Sequence, residues 1–459
     1  MTEEQQKKQM KLTFASNERG EALNESGEGA EAEVAVWDNT EIPVPESVME
    51  EVANALNLKE AYFEVRANQG APGIDKMTVE QLGDYLASNR DKLSQSLLDG
   101  TYRPKPVRRV EIEKTGGGTR KLGVPCAVDR LVQQAILRVV NRYWDSSFSE
   151  FSFGFRPKRS QHQAVKQAQK YVSSGKQWVV DIDLEKFFDR VNHDVLMALV
   201  AKRVKDKRLL KLIRAFLNAG VMEEGVVIEE DEGTPQGGPL SPWLSNVMLD
   251  ELDKELEKRQ LNFVRYADDC NIYVASERAG QRVLEGITQF LGKKLRLRVN
   301  EEKSAVGRPW ERKFLGFTYT RTKLRVRIAP KSIDRAKDKL RELTNSRRGG
   351  SLTTIIDELA KYLKGWREYY SICEVTGEFR DIERWLRRRL RCLIWTRWKT
   401  RTKRYQALTS RAVPKALAQS TASSGKGVWR LSASQALSIA LPNKYFDEIG
   451  LPRIYSGGT

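Results

Sequence analysis

Histidine and cysteine are scarce in this chain. Its 459 residues contain two histidines and four cysteines, Cys126, Cys270, Cys373 and Cys392, with no Cys-x-x-Cys pair. That scatter excludes a sequence-level zinc site, and reduced thiols in a cytosol are the simplest account of it. No apolar run reaches membrane-spanning length. The N-terminus is acidic where a signal peptide needs a basic start and an apolar stretch, so a soluble cytoplasmic protein with no membrane partner is expected. Acidic charge is the minority sign: 79 Lys plus Arg face 61 Asp plus Glu, for a net charge of +18 and a pI near 9.6. Such a balance suits a polyanionic partner, although a well-solvated surface alone can produce it. The length exceeds one ordinary core and calls for two or three packed units.

The basic excess is not uniform. The first fifty residues hold four basic and twelve acidic side chains, so the remainder is more basic than the total. Rich in Glu, Gly and Ser and poor in aromatics, 1–45 is expected to be a disordered acidic tail. Ordered structure should begin after Pro43-Val44-Pro45, where Val52, Leu56, Ala61 and Val65 recur at helical spacing. A Gly/Pro loop follows at Asn68-Gln69-Gly70-Ala71-Pro72-Gly73-Ile74-Asp75. The alternating segment 107–122 is interrupted by Gly116-Gly117-Gly118, a hairpin tip that sets Lys114, Arg120 and Lys121 on one ribbon. Segment 178–183 reads as a buried strand ending in carboxylates, and 263–274 as two strands meeting at Ala267-Asp268-Asp269. A sheet with helices on one side is the expected core. Beyond Pro330 the pattern turns helical over 332–343, 352–370 and 379–398.

Three aspartates stand out because they sit on apolar strands: Asp183 at the end of one, Asp268 and Asp269 where the other two meet. Aspartate weakens a strand and costs free energy near a core unless its charge is compensated. A pair of Mg²⁺ ions roughly 3.5–4 Å apart would compensate it, while activating a hydroxyl and stabilising a leaving pyrophosphate in phosphoryl transfer. An isolated Asp-Asp is equally a plain turn. Here the dipeptide lies in Phe263-Val264-Arg265-Tyr266-Ala267-Asp268-Asp269-Cys270-Asn271-Ile272-Tyr273-Val274, and this segment resembles the Tyr-x-Asp-Asp box of reverse transcriptases.

Further boxes match in the same order. Asp181-Ile182-Asp183-Leu184-Glu185-Lys186-Phe187-Phe188-Asp189 is similar to the first metal-binding strand of that family. The resemblance implies Asp183 as ligand and Phe188 beneath the incoming sugar, where a ring excludes a 2′-hydroxyl. Asp181, on the same strand face, reads as support for the ligand, with the alternative that it is itself the ligand left open. Gly233-Thr234-Pro235-Gln236-Gly237-Gly238-Pro239 resembles the Pro-Gln-Gly loop, with Gln236 near the nucleotide. Lys114 and Arg120 match basic residues laid on the triphosphate, or form an exposed basic hairpin. Lys303, in Asn300-Glu301-Glu302-Lys303-Ser304, is a further nucleotide-side candidate. The loop holding Asn68 and Gly73 is similar to the extra N-terminal box of group II intron reverse transcriptases.

Between Arg380 and Arg404 lie eleven basic and two acidic residues, interleaved with Trp385, Trp395 and Trp398. Cations and aromatics in that mixture suit a nucleic-acid groove, and equally a helical core with a solvated face. Arg387, Arg388, Arg391 and Trp395 are the candidates there, together with Asn68 and Gly73 at the other end of the chain.

The resemblance as a whole is to bacterial group II intron reverse transcriptase/maturases of the compact class without a C-terminal endonuclease. It implies a right-hand α+β architecture: fingers and an antiparallel palm over 46–328, a helical thumb or maturase domain over 329–400, and a small basic DNA-binding region over 401–459. It also implies two Mg²⁺ on Asp183, Asp268 and Asp269, with deoxynucleoside triphosphates, an RNA template, a DNA primer, intron RNA and target DNA as partners. Two other readings compete: a splicing cofactor without polymerase activity, and a reverse transcriptase recruited to repair or defence.

Overall fold

The computed structural model describes residues 44–113, 119–223, 226–228, 233, 237–345 and 349–455. The acidic tail, but for its last two residues, and the hairpin tip lie outside the described residues. The chain forms two compact units, Met1–Arg308 and Pro309–Thr459.

In the first unit, order begins with the helices Met49–Val52 and Ala55–Ala67. The Asn54 side chain caps the second, accepting from Leu56 N at 2.8 Å, which satisfies one of its orphan amides. That cap resets the helical phase. The buried face is Leu58, Ala61 and Val65, while Leu56, expected to point inward, is 71% exposed. Strands β1 (Val107–Glu113) and β2 (Thr119–Val124) form the expected hairpin, in register from Arg108 with Val124 to Glu113 with Thr119. The helix Ala127–Trp144 is apolar on most of its surface and runs through the core, its Leu131, Val132, Ala135, Ile136 and Val139 fully enclosed.

Strand β3 is Trp178–Ile182. The short strands β4 (Val221–Glu223) and β5 (Val226–Ile228) extend the hairpin sheet in the order β2-β1-β4-β5. A second sheet has the order β6-β7-β3-β8, with β6 Asn262–Tyr266, β7 Asp269–Val274 and β8 Ala305–Gly307, antiparallel throughout. Adjacent strand residues point to opposite faces. Tyr273 meets Tyr171 of the helix Gln161–Ser173 at 5.7 Å between ring centroids, whereas Val274 lies against Gly280 of the helix Glu277–Phe290. Helices therefore flank both faces, not the one expected, and this is why β7 is buried at every position from Cys270 to Val274.

The second unit opens with a strand pair, β9 (Phe317–Tyr319) and β10 (Val326–Ile328), followed by the helices Pro330–Leu343, Leu352–Tyr369 and Gly377–Arg397. Pro330 occupies a first-turn position where its missing N–H costs nothing, and the Ser351 hydroxyl caps the next helix at Thr354 N, 3.0 Å. Phe317 stacks on Tyr369 (5.5 Å, 25°) and tilts against Tyr370 (5.1 Å). The strand pair thus packs with the helices, and the compact unit begins ahead of the sequence's strand-to-helix step near 328. Shorter helices, from Arg401–Thr409 to Asn443–Glu448, complete this unit. Among the described residues no helix is long and apolar enough to cross a membrane.

Candidate active site

The candidate carboxylates meet because of strand register. β3 pairs with β7 from Trp178 with Val274 to Ile182 with Cys270. Continuing that register by one residue brings Asp183, just past β3, level with Asp269, the first residue of β7. β6 and β7 close with Tyr266 opposite Asp269, leaving Ala267 and Asp268 as the turn, and Ala267 adopts a left-handed φ of 57°. Asp183, Asp268 and Asp269 therefore share one end of the sheet, although 85 residues of sequence separate the first two.

The backbone of Asp183 is held firmly. Its N–H donates to Ser304 Oγ (2.9 Å), its carbonyl accepts from Asn300 N (2.8 Å), and Glu185 N donates to Arg298 O (2.9 Å). The turn Asn300–Ser304 also delivers Lys303, whose Nζ lies 3.5 Å from Asp183 Oδ1. Asn271, with its amide nitrogen turned toward the acceptors around it, donates to Asp181 Oδ1 at 3.1 Å. Asp181 is thereby tied to a buried neighbour on β7. Asp183 and Asp268 are half-buried and Asp269 is exposed. Among the described residues no three His, Cys, Asp or Glu side chains come together as a group that could by itself hold a metal ion. Hard carboxylate oxygens at an open sheet end, with a cation already beside one of them, instead fit a divalent ion whose shell substrate oxygens complete.

Phe188 follows a tight turn in which Lys186 takes φ 47°. It is half-buried and packs edge-on against the core residue Phe187 (5.2 Å, 75°). Its backbone runs against Gly233, which donates to Val191 O (2.8 Å) and accepts from His193 Nε2 (2.5 Å). Gly237, at φ 133°, presses on the Gly123 carbonyl, where a Cβ would collide at 2.6 Å. The Gln133 side chain takes Leu240 N at 3.4 Å. His193 and Gln133 thus anchor the loop that carries Gln236, and nothing in their local sequence announces it, because each works across 40 or more residues. Gln236 and Lys114 lie outside the described residues, and of Arg120 only the backbone in β2 is described.

The expected nucleic-acid contacts sit in differing surroundings. Gly73 is buried with its Cα against Cys126, where a Cβ would meet Cys126 N at 2.7 Å, so it serves close packing. Asn68 is exposed at the end of the helix Ala55–Ala67. Arg387 is 2% exposed and is held by Glu383 (2.9 Å), Asp447 (2.7 Å) and the Asn443 carbonyl (2.7 Å). Trp395 is buried, with Arg404 over its ring at 4.7 Å. Arg391 donates to Leu441 O (2.9 Å), and Arg388 donates to Trp429 O (2.8 Å) while lying over that ring. These four side chains knit the helix Gly377–Arg397 to the short helices after it. A guanidinium buried among apolar neighbours must pair with the protein's own acceptors. Arg388 and Arg391 stay half-buried, and fully exposed cations nearby include Arg384, Lys399, Arg401 and Lys403.

Comparison with known proteins accords with this geometry. The reverse transcriptase (RNA-dependent DNA polymerase) family model matches residues 112–319, and the group II intron maturase-specific domain matches 333–411. Protein YkfC of Escherichia coli (strain K12) is 33% identical over 289 residues, 54% of this chain and 76% of that protein. The chain belongs to the group II intron reverse transcriptase family. A further relative is the group II intron-encoded protein LtrA of Lactococcus lactis subsp. cremoris, 37% identical over 207 residues, 45% of this chain. The chain spans about a third (34%) of LtrA's length. A reverse transcriptase domain is a divalent-metal-dependent nucleotidyltransferase, and a maturase domain is an RNA-binding one. The maturase match runs past residue 400 into the helix Arg401–Thr409.

Proposed function

We propose that this protein copies an RNA template into DNA and, through its second unit, binds group II intron RNA to assist splicing and retrohoming into target DNA. The observation that carries the reading is the register of β3 against β7, which gathers Asp183, Asp268 and Asp269 at one end of a buried sheet. In this reading those carboxylates hold two Mg²⁺, which when bound would activate the primer 3′-hydroxyl and neutralise charge on the leaving pyrophosphate. The chain's own residues supply position. Ser304 and Asn300 fix the Asp183 backbone. Lys303 keeps an exposed positive charge beside Asp183, where it would meet a nucleotide phosphate. Phe188 presents a ring to the sugar, and Lys114, Arg120 and Gln236 would contact the triphosphate and base. By function we divide the chain into fingers and palm over 46–328, thumb over 329–400 and a DNA-binding region over 401–459, working in the cytosol.

Primer extension on an RNA template with deoxynucleotides and Mg²⁺ tests this. Asp183→Asn and Asp268→Asn should each lower synthesis by several kcal/mol of transition-state stabilisation, about a thousandfold or more, with affinity for structured RNA unchanged. A parent that binds such RNA tightly yet never extends a primer would favour the splicing-cofactor reading. Equal loss of RNA binding and synthesis in Asp268→Asn would refute the separation of roles.

A further inference from the structure

The turn bearing Asp268 is gripped by a buried ion pair that lies outside the carboxylate set. Arg265, on β6, points toward the helix Ser241–Lys258, where Asn246 and Asp253 are seven residues apart on one helical face. Arg265 and Asp253 are both 0% exposed. Their contact is two-pronged: Arg265 Nε donates to Asp253 Oδ1 at 2.8 Å and Nη2 to Oδ2 at 2.5 Å. The third nitrogen, Nη1, is spent elsewhere. It donates to Asn246 Oδ1 (2.9 Å) and to the carbonyl of Ala267 (2.9 Å), the residue directly before Asp268.

Ala267 is where the turn carries strain. Its φ of 57° is left-handed, a conformation that costs a residue with a Cβ free energy and persists only when its surroundings impose it. Those surroundings converge from two directions. The guanidinium takes the Ala267 carbonyl from the helix side. On the other, Asn246 Nδ2 donates to Gly154 O (2.8 Å), and Gly154 passes so close that a Cβ there would collide with Ala267 N. Arg265 N donates to Phe151 O and Phe153 N donates to Arg265 O, both at 2.9 Å, so segment 151–154 is stitched to the same strand. A pair serving only to stabilise the core would be complete with Asp253; the bond to Ala267 adds a link to the candidate metal turn.

We infer that Arg265, clamped by Asp253 and Asn246, is a positioning residue that holds the Ala267 turn so that Asp268 and Asp269 face the reacting phosphates. It touches neither substrate nor metal and acts through the backbone of Ala267. The inference rests on the reading of Asp183, Asp268 and Asp269 as the metal ligands. Arginine is required because one planar fork must reach a carboxylate bidentately and a carbonyl at the same time, which a point-charge ammonium cannot do.

The test exploits the fact that well-packed apolar residues can replace a buried ion pair without loss of stability. In the full-length protein, Arg265→Met combined with Asp253→Leu should melt near the parent temperature and bind RNA as the parent does. Its kcat for primer extension should fall about 10–100-fold, with a raised Mg²⁺ half-saturation concentration, the range found when groups supporting metal ligands are removed. KM for the deoxynucleotide should stay close to the parent's. A stable double variant with parental kcat and Mg²⁺ dependence would overturn the inference. If the double variant fails to fold, Arg265→Lys carries the test, since it keeps the charge opposite Asp253. It should show the same Mg²⁺ shift in a folded protein, and a parental Mg²⁺ profile would again overturn the proposal. Asp268→Asn assayed alongside separates the two ideas: full activity there would sink the assignment of the carboxylates themselves.

Discussion

At the scale of single residues, small geometric facts separate positions that look alike in sequence. Asp181 and Asp183 share a strand face, yet Asp181 accepts from a buried amide while Asp183 sits half-exposed beside Lys303. Phe187 and Phe188 are adjacent aromatics, yet Phe187 is core and Phe188 reaches partway into the open. That partial exposure is what a sugar gate needs. We therefore expect Phe188→Val to leave deoxynucleotide incorporation largely intact while lowering discrimination against ribonucleotides by roughly 10–200-fold, the range a steric pocket difference supplies. Competition between the two nucleotide types in single-turnover extension measures the ratio, and unchanged discrimination would remove Phe188 from that role.

At the scale of elements, the helix Gly377–Arg397 illustrates how a basic, aromatic-rich stretch divides its labour. Its inward arginines and Trp395 are spent on the short helices that follow, and exposed cations continue into Arg401–Thr409. Trp395→Ala should destabilise the second unit by about 3–5 kcal/mol, read as a lowered unfolding midpoint in denaturant. The triple change Lys399→Gln, Arg401→Gln and Lys403→Gln should leave that midpoint in place. It should instead flatten the dependence of log affinity on log salt by about 0.7–0.9 for each phosphate that is no longer neutralised. If the triple variant binds RNA with the parent's salt slope, the nucleic-acid face of this unit lies elsewhere.

At the scale of the whole molecule, two buried carboxyls tie stability to pH. Burial pushes Asp129 up to about 6, against the pull of hydrogen bonds from Tyr102 Oη (2.7 Å) and Lys105 N (3.2 Å). Burial likewise raises Asp250 to about 6, with Lys254 opposing it at 2.6 Å. The folded state thus holds these protons more tightly than the unfolded chain, whose ordinary value is 3.8. Their contribution is fully present below about pH 4 and is lost as pH rises through about 6, amounting to at most about 3 kcal/mol for each group. Asp129→Asn should remove its share of that decline. The parent should lose more melting temperature than the variant between pH 4 and pH 7, and parallel curves would show that Asp129 titrates normally in the folded protein.

The sequence alone was enough to single out Asp183, Asp268 and Asp269, the hairpin β1–β2 and the main helices of the second unit, because each rests on local information. A strand that ends in a carboxylate, two strands joined at a dipeptide and a 3.6-residue period are all written within a dozen positions. Only the tertiary structure decided which cations face solvent and which are consumed. Helical spacing gives the face on which Arg387 lies, but not that Glu383 and Asp447 wait there. It also decided the supports of the site. Gln133 beneath the loop, Ser304 under Asp183 and Asp253 against Arg265 act across gaps of 12 to 121 residues, and such pairings exist only once packing has brought distant elements together.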